Sequence, residues 1–237
     1  MSITEPEWQA ITLSLRVAAV AVTISLPLAI AVGYWLAHRN FWGKVFVETV
    51  VNLPLVLPPV VTGYLLLVLF GSQGVLGRFL DQTLGLRLVF DWKGAALAAA
   101  VVGFPLMVRS IRLGFAAVDP HLENAAKTLG APPLRVFFRV SLPLAWPGVL
   151  AGAVLGFARS LGEFGATLMI AGSIADETRT IPLFVYHLLE SPDGPAAARR
   201  IIVLSILIAA AALLLSELIE RHTSPDRRTR RSDRRAS

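Results

Sequence analysis

Cysteine is absent from this 237-residue chain. No disulfide framework can form, and no thiolate can hold a metal or a cluster. Charge is also scarce: Asp, Glu, Lys and Arg make up 16% of the residues, against about 25% in an ordinary soluble domain. The first ten residues, MSITEPEWQA, contain no Lys or Arg. A cleavable signal peptide starts with a basic region and carries a shorter apolar core, so the first apolar segment is expected to remain as a transmembrane helix. The signatures of catalysis are missing too. There is no G-x-x-x-x-G-K-[ST] loop to cradle ATP phosphates. There is no H-E-x-x-H or Cys/His cluster, so no metal site is expected, and no G-x-S-x-G elbow offers a serine nucleophile. The expectation is a chain that supplies a path and a lever, with no catalytic residues and no cofactor of its own.

What fills the chain is apolar sequence. Hydrophobic residues are 55% of the total and the mean hydropathy is +0.65. A helix needs about 20 apolar residues to cross the hydrocarbon. Five segments meet this, at 17–37, 49–70, 94–114, 145–171 and 201–219. The segment 178–190 is too short and polar to cross and is expected to be interfacial or re-entrant. The predicted fold is an all-α integral membrane protein with five transmembrane helices. Lys and Arg bias the orientation. The segments 38–48, 109–143 and 221–237 hold 2, 5 and 7 of them, whereas 1–10, 71–93 and 172–198 hold 0, 3 and 1. Cytoplasmic loops carry the excess, so the N-terminus is predicted outside and the C-terminus inside. Residues 1–10 are an outer terminus, 11–220 the membrane domain, and 221–237 a disordered basic tail beside anionic lipid headgroups. No nucleic-acid-binding fold accompanies that charge, so no nucleic acid is expected as a partner.

The polar interruption at 119–143, DPHLENAAKTLGAPPLRVFFRVSLP, falls on the cytoplasmic side. Asp119 and Pro120 start a helix, and Glu123 suits the positive end of its dipole. Gly130 stands where a helix end takes a left-handed residue. Pro132 and Pro133 open a second short helix, with Arg135 and Arg139 on one face and Phe138 and Leu142 on another. Leu142-Pro143 marks re-entry into the membrane. Such a loop suits either an interfacial helix pair or a docking knob for a soluble partner.

Within the apolar segments, Arg159 and Glu163 stand four residues apart, with Ser160 between them. Charges inside a membrane are costly and are paired or face a cavity. Two roles fit: a structural ion pair, or a gate on a pathway. Pro54, Pro58 and Pro59 break the second span, and a broken helix needs protein or a cavity around its free backbone groups. Either kinked packing follows, or an oxyanion route lined by backbone, Thr62 and Asn52. Asp176, Glu177, Thr178 and Arg179 form a charged outer loop.

The spacing A-A-x3-G-x9-V-x-L-P, met by Ala125, Ala126, Gly130, Val140, Leu142 and Pro143, resembles the EAA loop of ABC importer permeases. The family's usual glutamate falls at Asn124 here, and Glu123 stands one residue earlier. The segments LPLVLPPVVTGYLLL (53–67), FPLMVRSIRLGF (104–115), FARSLGEFGAT (157–167) and DETRTIP (176–182) resemble molybdate transport permeases, with sulfate permeases more distant. The resemblance covers about 4–220. It implies a type I ABC importer permease fold and a homodimer in the bacterial inner membrane. It implies ATP-binding subunits, holding ATP and Mg, seated on the 119–143 loop, with Leu134, Arg135 and Phe138 in the contact. It also implies a periplasmic binding protein that delivers molybdate and meets Asp176, Glu177, Thr178 and Arg179. Sulfate, tungstate or another oxyanion is the alternative cargo, and a channel or secondary transporter running without ATP is the remote alternative.

Overall fold

A computed structural model describes residues 3–191 and 194–223, and every regular element among them is helical. The first helix, α1 (Glu5–His38), begins inside the segment read as an outer terminus and runs through the first predicted span. The early start has a local cause. Pro6 suits the first turn, and the Glu7 carboxylate reaches back to accept from the Thr4 N–H and hydroxyl, both at 2.8 Å. Along α1 the buried side is a run of small residues at helical spacing: Ala10, Ser14, Ala18, Ala21, Ser25, Ala29 and Gly33. Small residues let helix backbones approach closely inside a membrane. At Gly33 an added Cβ would come within 2.9 Å of Ile111 Cγ2.

Ile111 belongs to α5 (Trp92–Ala116), the central helix. Asp91 caps it, accepting from the Lys93 N–H at 2.8 Å. On its other side α5 packs on α8 (Leu142–Leu161), where Gly114 and Gly148 meet so closely that a Cβ on Gly148 would lie 2.6 Å from Gly114 Cα. The core is thus a three-helix layer, α1 against α5 against α8.

The second predicted span, 49–70, is not one helix. α2 (Lys44–Val56) and α3 (Pro59–Phe70) meet at 110°. Pro58 and Pro59 offer no N–H, and a residue before proline is driven to extended backbone, which Leu57 adopts at φ −66°, ψ 142°. Pro54 lies inside α2 and does not end it. After α4 (Val75–Leu84) and α5 come α6 (Pro120–Thr128) and α7 (Pro133–Val136). Leu142-Pro143 is not a break. From α7 the helix runs through a π-helical turn, Phe137–Ser141, straight into α8. The Leu142 N–H reaches back five residues to the Phe137 carbonyl, and this widened turn gives room for the proline ring one residue on.

The fourth predicted span, 145–171, also departs from a single helix. α8 stops at Leu161, and α9 (Gly165–Ala171) starts after a break at 162–164. α10 (Ile181–Leu189) has nine residues, about 13 Å of helix, and packs on α1 and α11 (Gly194–Thr223). Among the described residues three helical runs are long and apolar enough to cross a membrane: α1, α5 and 133–161. The bent α2–α3 pair makes a fourth if it is one span. Of the basic tail, residues 221–223 close α11, and 224–237 lie outside the described residues.

Candidate coupling surface and translocation path

The loop at 119–143 folds as two short helices held by its own sequence. Asp119 caps α6, accepting from the His121 N–H at 2.9 Å. The other end closes with a paired turn: the Gly130 N–H donates to Lys127 O at 3.0 Å and the Ala131 N–H to Ala126 O at 3.1 Å. That turn needs a left-handed residue, and Gly130 has φ +82°. The loop turns its apolar side chains outward. Leu129 is 88% exposed, Leu134 73% and Phe138 61%, and Asn124, Ala125 and Arg135 are exposed beside them. Leu142 is half-buried and Pro143 exposed. A polar surface loop that presents leucine and phenylalanine outward is the form expected of a partner-binding face.

Glu123 points the other way. It is 5% exposed and accepts from His38 Nε2 at 3.0 Å and from the Ser141 hydroxyl at 2.6 Å. The glutamate beside the Ala-Ala pair therefore ties α6 to the end of α1 and to the π-helical turn, while Asn124 faces outward. Nothing in the local pattern pointed to His38 or Ser141, which lie 85 and 18 residues from Glu123.

In the membrane region, the break between α8 and α9 positions Glu163. One carboxylate oxygen accepts from the Ala166 N–H at 2.9 Å in the first turn of α9, and the other lies 2.8 Å from Arg159 Nη1. That second contact is an ion pair by distance without an aligned N–H, because Glu163 Oε2 has no hydrogen-bond partner among the described residues. Arg159 and Glu163 do not share one helix, as their spacing had suggested; Glu163 sits in the break and closes it. Ser160 is buried, its hydroxyl 3.5 Å from Ala99 O. The bend between α2 and α3 meets the same region, since α3 packs on α9: a Cβ on Gly165 would lie 3.0 Å from Pro59 Cβ, and one on Gly63 2.6 Å from Ala166 Cα. Thr62, on α3, is 4% exposed, and its hydroxyl has no hydrogen-bond partner among the described residues. Pro58 and Pro59 are exposed at the bend. Asn52 and Pro54 lie apart from this cluster on α2, and the Asn52 amide donates to Glu48 O at 2.6 Å within the helix.

At the opposite end of α1, Asp176 and Glu177 are exposed, with Asp176 at φ +66°. Thr178 is fully buried, and its hydroxyl accepts from the Ile174 N–H at 2.9 Å. It shapes the loop and offers no surface. Arg179 is half-buried and donates to Ser173 O at 3.3 Å. Two contacts here were not visible in the sequence: Glu7, 3% exposed, accepts from Arg200 Nε at 2.7 Å, and the Ser14 hydroxyl accepts from the Ile181 N–H at 2.8 Å.

A helical bundle with apolar membrane-length helices, broken inner segments and an exposed apolar loop has the architecture of a multi-pass membrane protein. The chain belongs to the family of binding-protein-dependent transport system inner membrane components, whose model matches residues 26–226. Over 221 residues it is 52% identical to the molybdenum transport system permease protein ModB of Escherichia coli strain K12, covering 93% of this chain and 96% of that protein. The ModB of Haemophilus influenzae is 53% identical over 215 residues, or 91% of this chain and 94% of that one. The sulfate transport system permease protein CysW of Synechococcus elongatus is 37% identical over 177 residues, 75% of this chain and 62% of that protein. Among solved structures, a chain of a bacterial alginate ABC transporter matches with a TM-score of 0.73 at 18% identity, covering 94% of this chain and 81% of that one. A chain of the MetNI methionine ABC transporter, in an inward-facing conformation, matches at 0.67 with 16% identity, covering 94% and 100%. These two likenesses concern the fold alone.

Proposed function

We propose that this chain is the membrane-spanning subunit of an ATP-driven molybdate importer of the bacterial inner membrane. The observation that carries the substrate is the 52–53% identity to two molybdenum permeases over more than nine-tenths of the chain. The chain catalyses nothing itself. It works as a homodimer with two ATP-binding subunits, which hold ATP and Mg, and with a periplasmic molybdate-binding protein. It crosses the membrane five times, at α1, α2–α3, α5, α8 and α11, with its N-terminus outside. The exposed Leu129, Leu134 and Phe138 supply the apolar contact for the ATP-binding subunit. ATP binding draws those subunits together and moves the two 119–143 loops. The pathway then opens outward, and hydrolysis resets it. The break at 57–58, the buried Thr62 hydroxyl and the Arg159–Glu163 pair lie where α3 meets α9, and this junction is the pathway element nearest a cation. Asp176, Glu177 and Arg179 face the binding protein.

Radiolabelled molybdate uptake in cells expressing the chain with its ATP-binding subunit and binding protein tests this. ATP-dependent uptake, blocked by excess tungstate and not by sulfate, is expected. The likeness to a sulfate permease supports a second reading, and uptake abolished by sulfate moves the assignment there. Uptake that persists without ATP rules out the ABC importer and leaves a channel or secondary transporter.

A further inference from the structure

We propose that α1 is the strut that carries the signal of a loaded binding protein to the ATP-binding subunits; this rests on the importer reading above. The helix has 34 residues and so spans about 51 Å, longer than the hydrocarbon is thick. Each end is pinned by a buried carboxylate to a distant part of the chain. At the outer end, Glu7 is held by Arg200, 193 residues away. Two turns further in, the Ser14 hydroxyl takes the N–H of Ile181, the first residue of α10, directly after the loop that bears Asp176 and Arg179. A small cavity of about 30 Å³ lies between that loop and α1, lined by Pro6, Gln9, Asp176 and Arg179 among others. At the inner end, His38 holds Glu123 of the coupling helix, and the same carboxylate takes Ser141 from the turn that leads into α8.

A helix that merely covered the bundle against lipid would need neither contact. A buried charge is tolerated only with its partner in place, so neither end of α1 can slide away from its neighbour without stranding a carboxylate. Between the ends, the small-residue stripe packs α1 on α5, and Gly33 leaves no room for a side chain against Ile111. The inner link has a defined chemistry. His38 Nδ1 lies 3.0 Å from the Tyr34 carbonyl oxygen and Nε2 faces the carboxylate. A carboxylate only accepts, so the link needs an N–H at the Nε2 position. Among the described residues, the other charged or titratable groups near it are Tyr34 on α1 and Arg39, just past its end. α5 presents Phe115, and the π-helical turn presents Phe137 and Ser141.

The test uses the whole complex in lipid nanodiscs and reads ATP hydrolysis with and without molybdate-loaded binding protein. His38→Ala is expected to assemble and to hydrolyse ATP at the unstimulated rate, but to lose stimulation by about fivefold or more. His38→Gln keeps an N–H near the same place and restores it, a rescue that simple loss of packing does not give. Glu7→Gln, at the far end, shows the same loss. The double variant His38→Ala/Glu7→Gln loses no more than either single one, because both cut one strut. Full stimulation in His38→Ala, or losses that multiply in the double variant, overturns the proposal. Should His38→Ala fail to assemble, Ser14→Ala removes the acceptor that ties α1 to the Ile181 N–H, and full stimulation in that variant overturns it equally. A wild-type complex that does not form, or that the loaded binding protein does not stimulate, instead defeats the importer reading.

Discussion

Glu163 shows how a single side chain can be read correctly for its partner and wrongly for its setting. Its spacing from Arg159 announced an ion pair, and the pair is there at 2.8 Å. The helix that was to carry both residues ends at Leu161. No proline marks the break; Gly162 costs a helix only about 1 kcal/mol relative to alanine, too little to read as a stop. Glu163 is 3% exposed, so its charge depends on Arg159 and the Ala166 N–H. Arg159→Met is therefore expected to destabilise the purified subunit by roughly 3 kcal/mol, the cost of stranding a buried carboxylate. Adding Glu163→Gln removes the stranded charge and should recover most of the loss. Thermal unfolding in detergent measures both. A double variant no more stable than Arg159→Met would mean that the guanidinium acts through packing and not through the carboxylate. The buried Glu123 and Glu7 were less legible still, because their partners lie 85 and 193 residues away and no local period connects them.

Elements were legible where their ends are written in local chemistry. α6 starts at Asp119-Pro120 and ends at Gly130, where capping and a left-handed glycine predict it. The α2–α3 junction was announced by Pro58-Pro59, but its 110° bend was not, since prolines fix where a helix breaks and the packing of α3 on α9 fixes where it goes next. The π-helical turn before Pro143 was invisible, because it lets a helix pass a proline that sequence alone treats as a boundary. The α6 terminus gives a sharp test. Space around Gly130 is open, so a side chain meets no clash and only the φ of +82° resists it. Strain of this kind costs on the order of 1–3 kcal/mol and is confined to the turn. Gly130→Asp is expected to insert into the membrane and purify normally while losing most molybdate uptake, because the turn sets the angle between α6 and α7. Normal uptake and normal stimulated ATP hydrolysis in that variant would remove the 119–143 face from the coupling mechanism.

At the scale of the molecule, the absence of cysteine becomes an experimental asset. Composition and the Lys/Arg bias predicted a membrane protein with the 119–143 side facing the cytoplasm. The structure adds which surfaces share an end of the bundle. The 39–43 turn adjoins the 119–143 loop through His38 and Glu123, and the 172–180 loop adjoins the start of α1 through Ser14 and Ile181. A single cysteine placed in this chain is the only one a maleimide can find. Trp42, Ser72 and Ala175 are all exposed and lie outside the long helices, so each substitution should leave the bundle intact. With five crossings and the N-terminus outside, Ser72→Cys and Ala175→Cys react with a membrane-impermeant maleimide in intact spheroplasts, and Trp42→Cys reacts only after the membrane is opened. The reverse pattern would place the exposed leucine face of the 119–143 loop away from cytoplasmic ATP, and the coupling mechanism could not operate. Ser72 and Ala175 labelling from opposite sides would instead make the number of crossings between them odd, so that either α5 or the 133–171 region, broken at 162–164, fails to traverse the membrane.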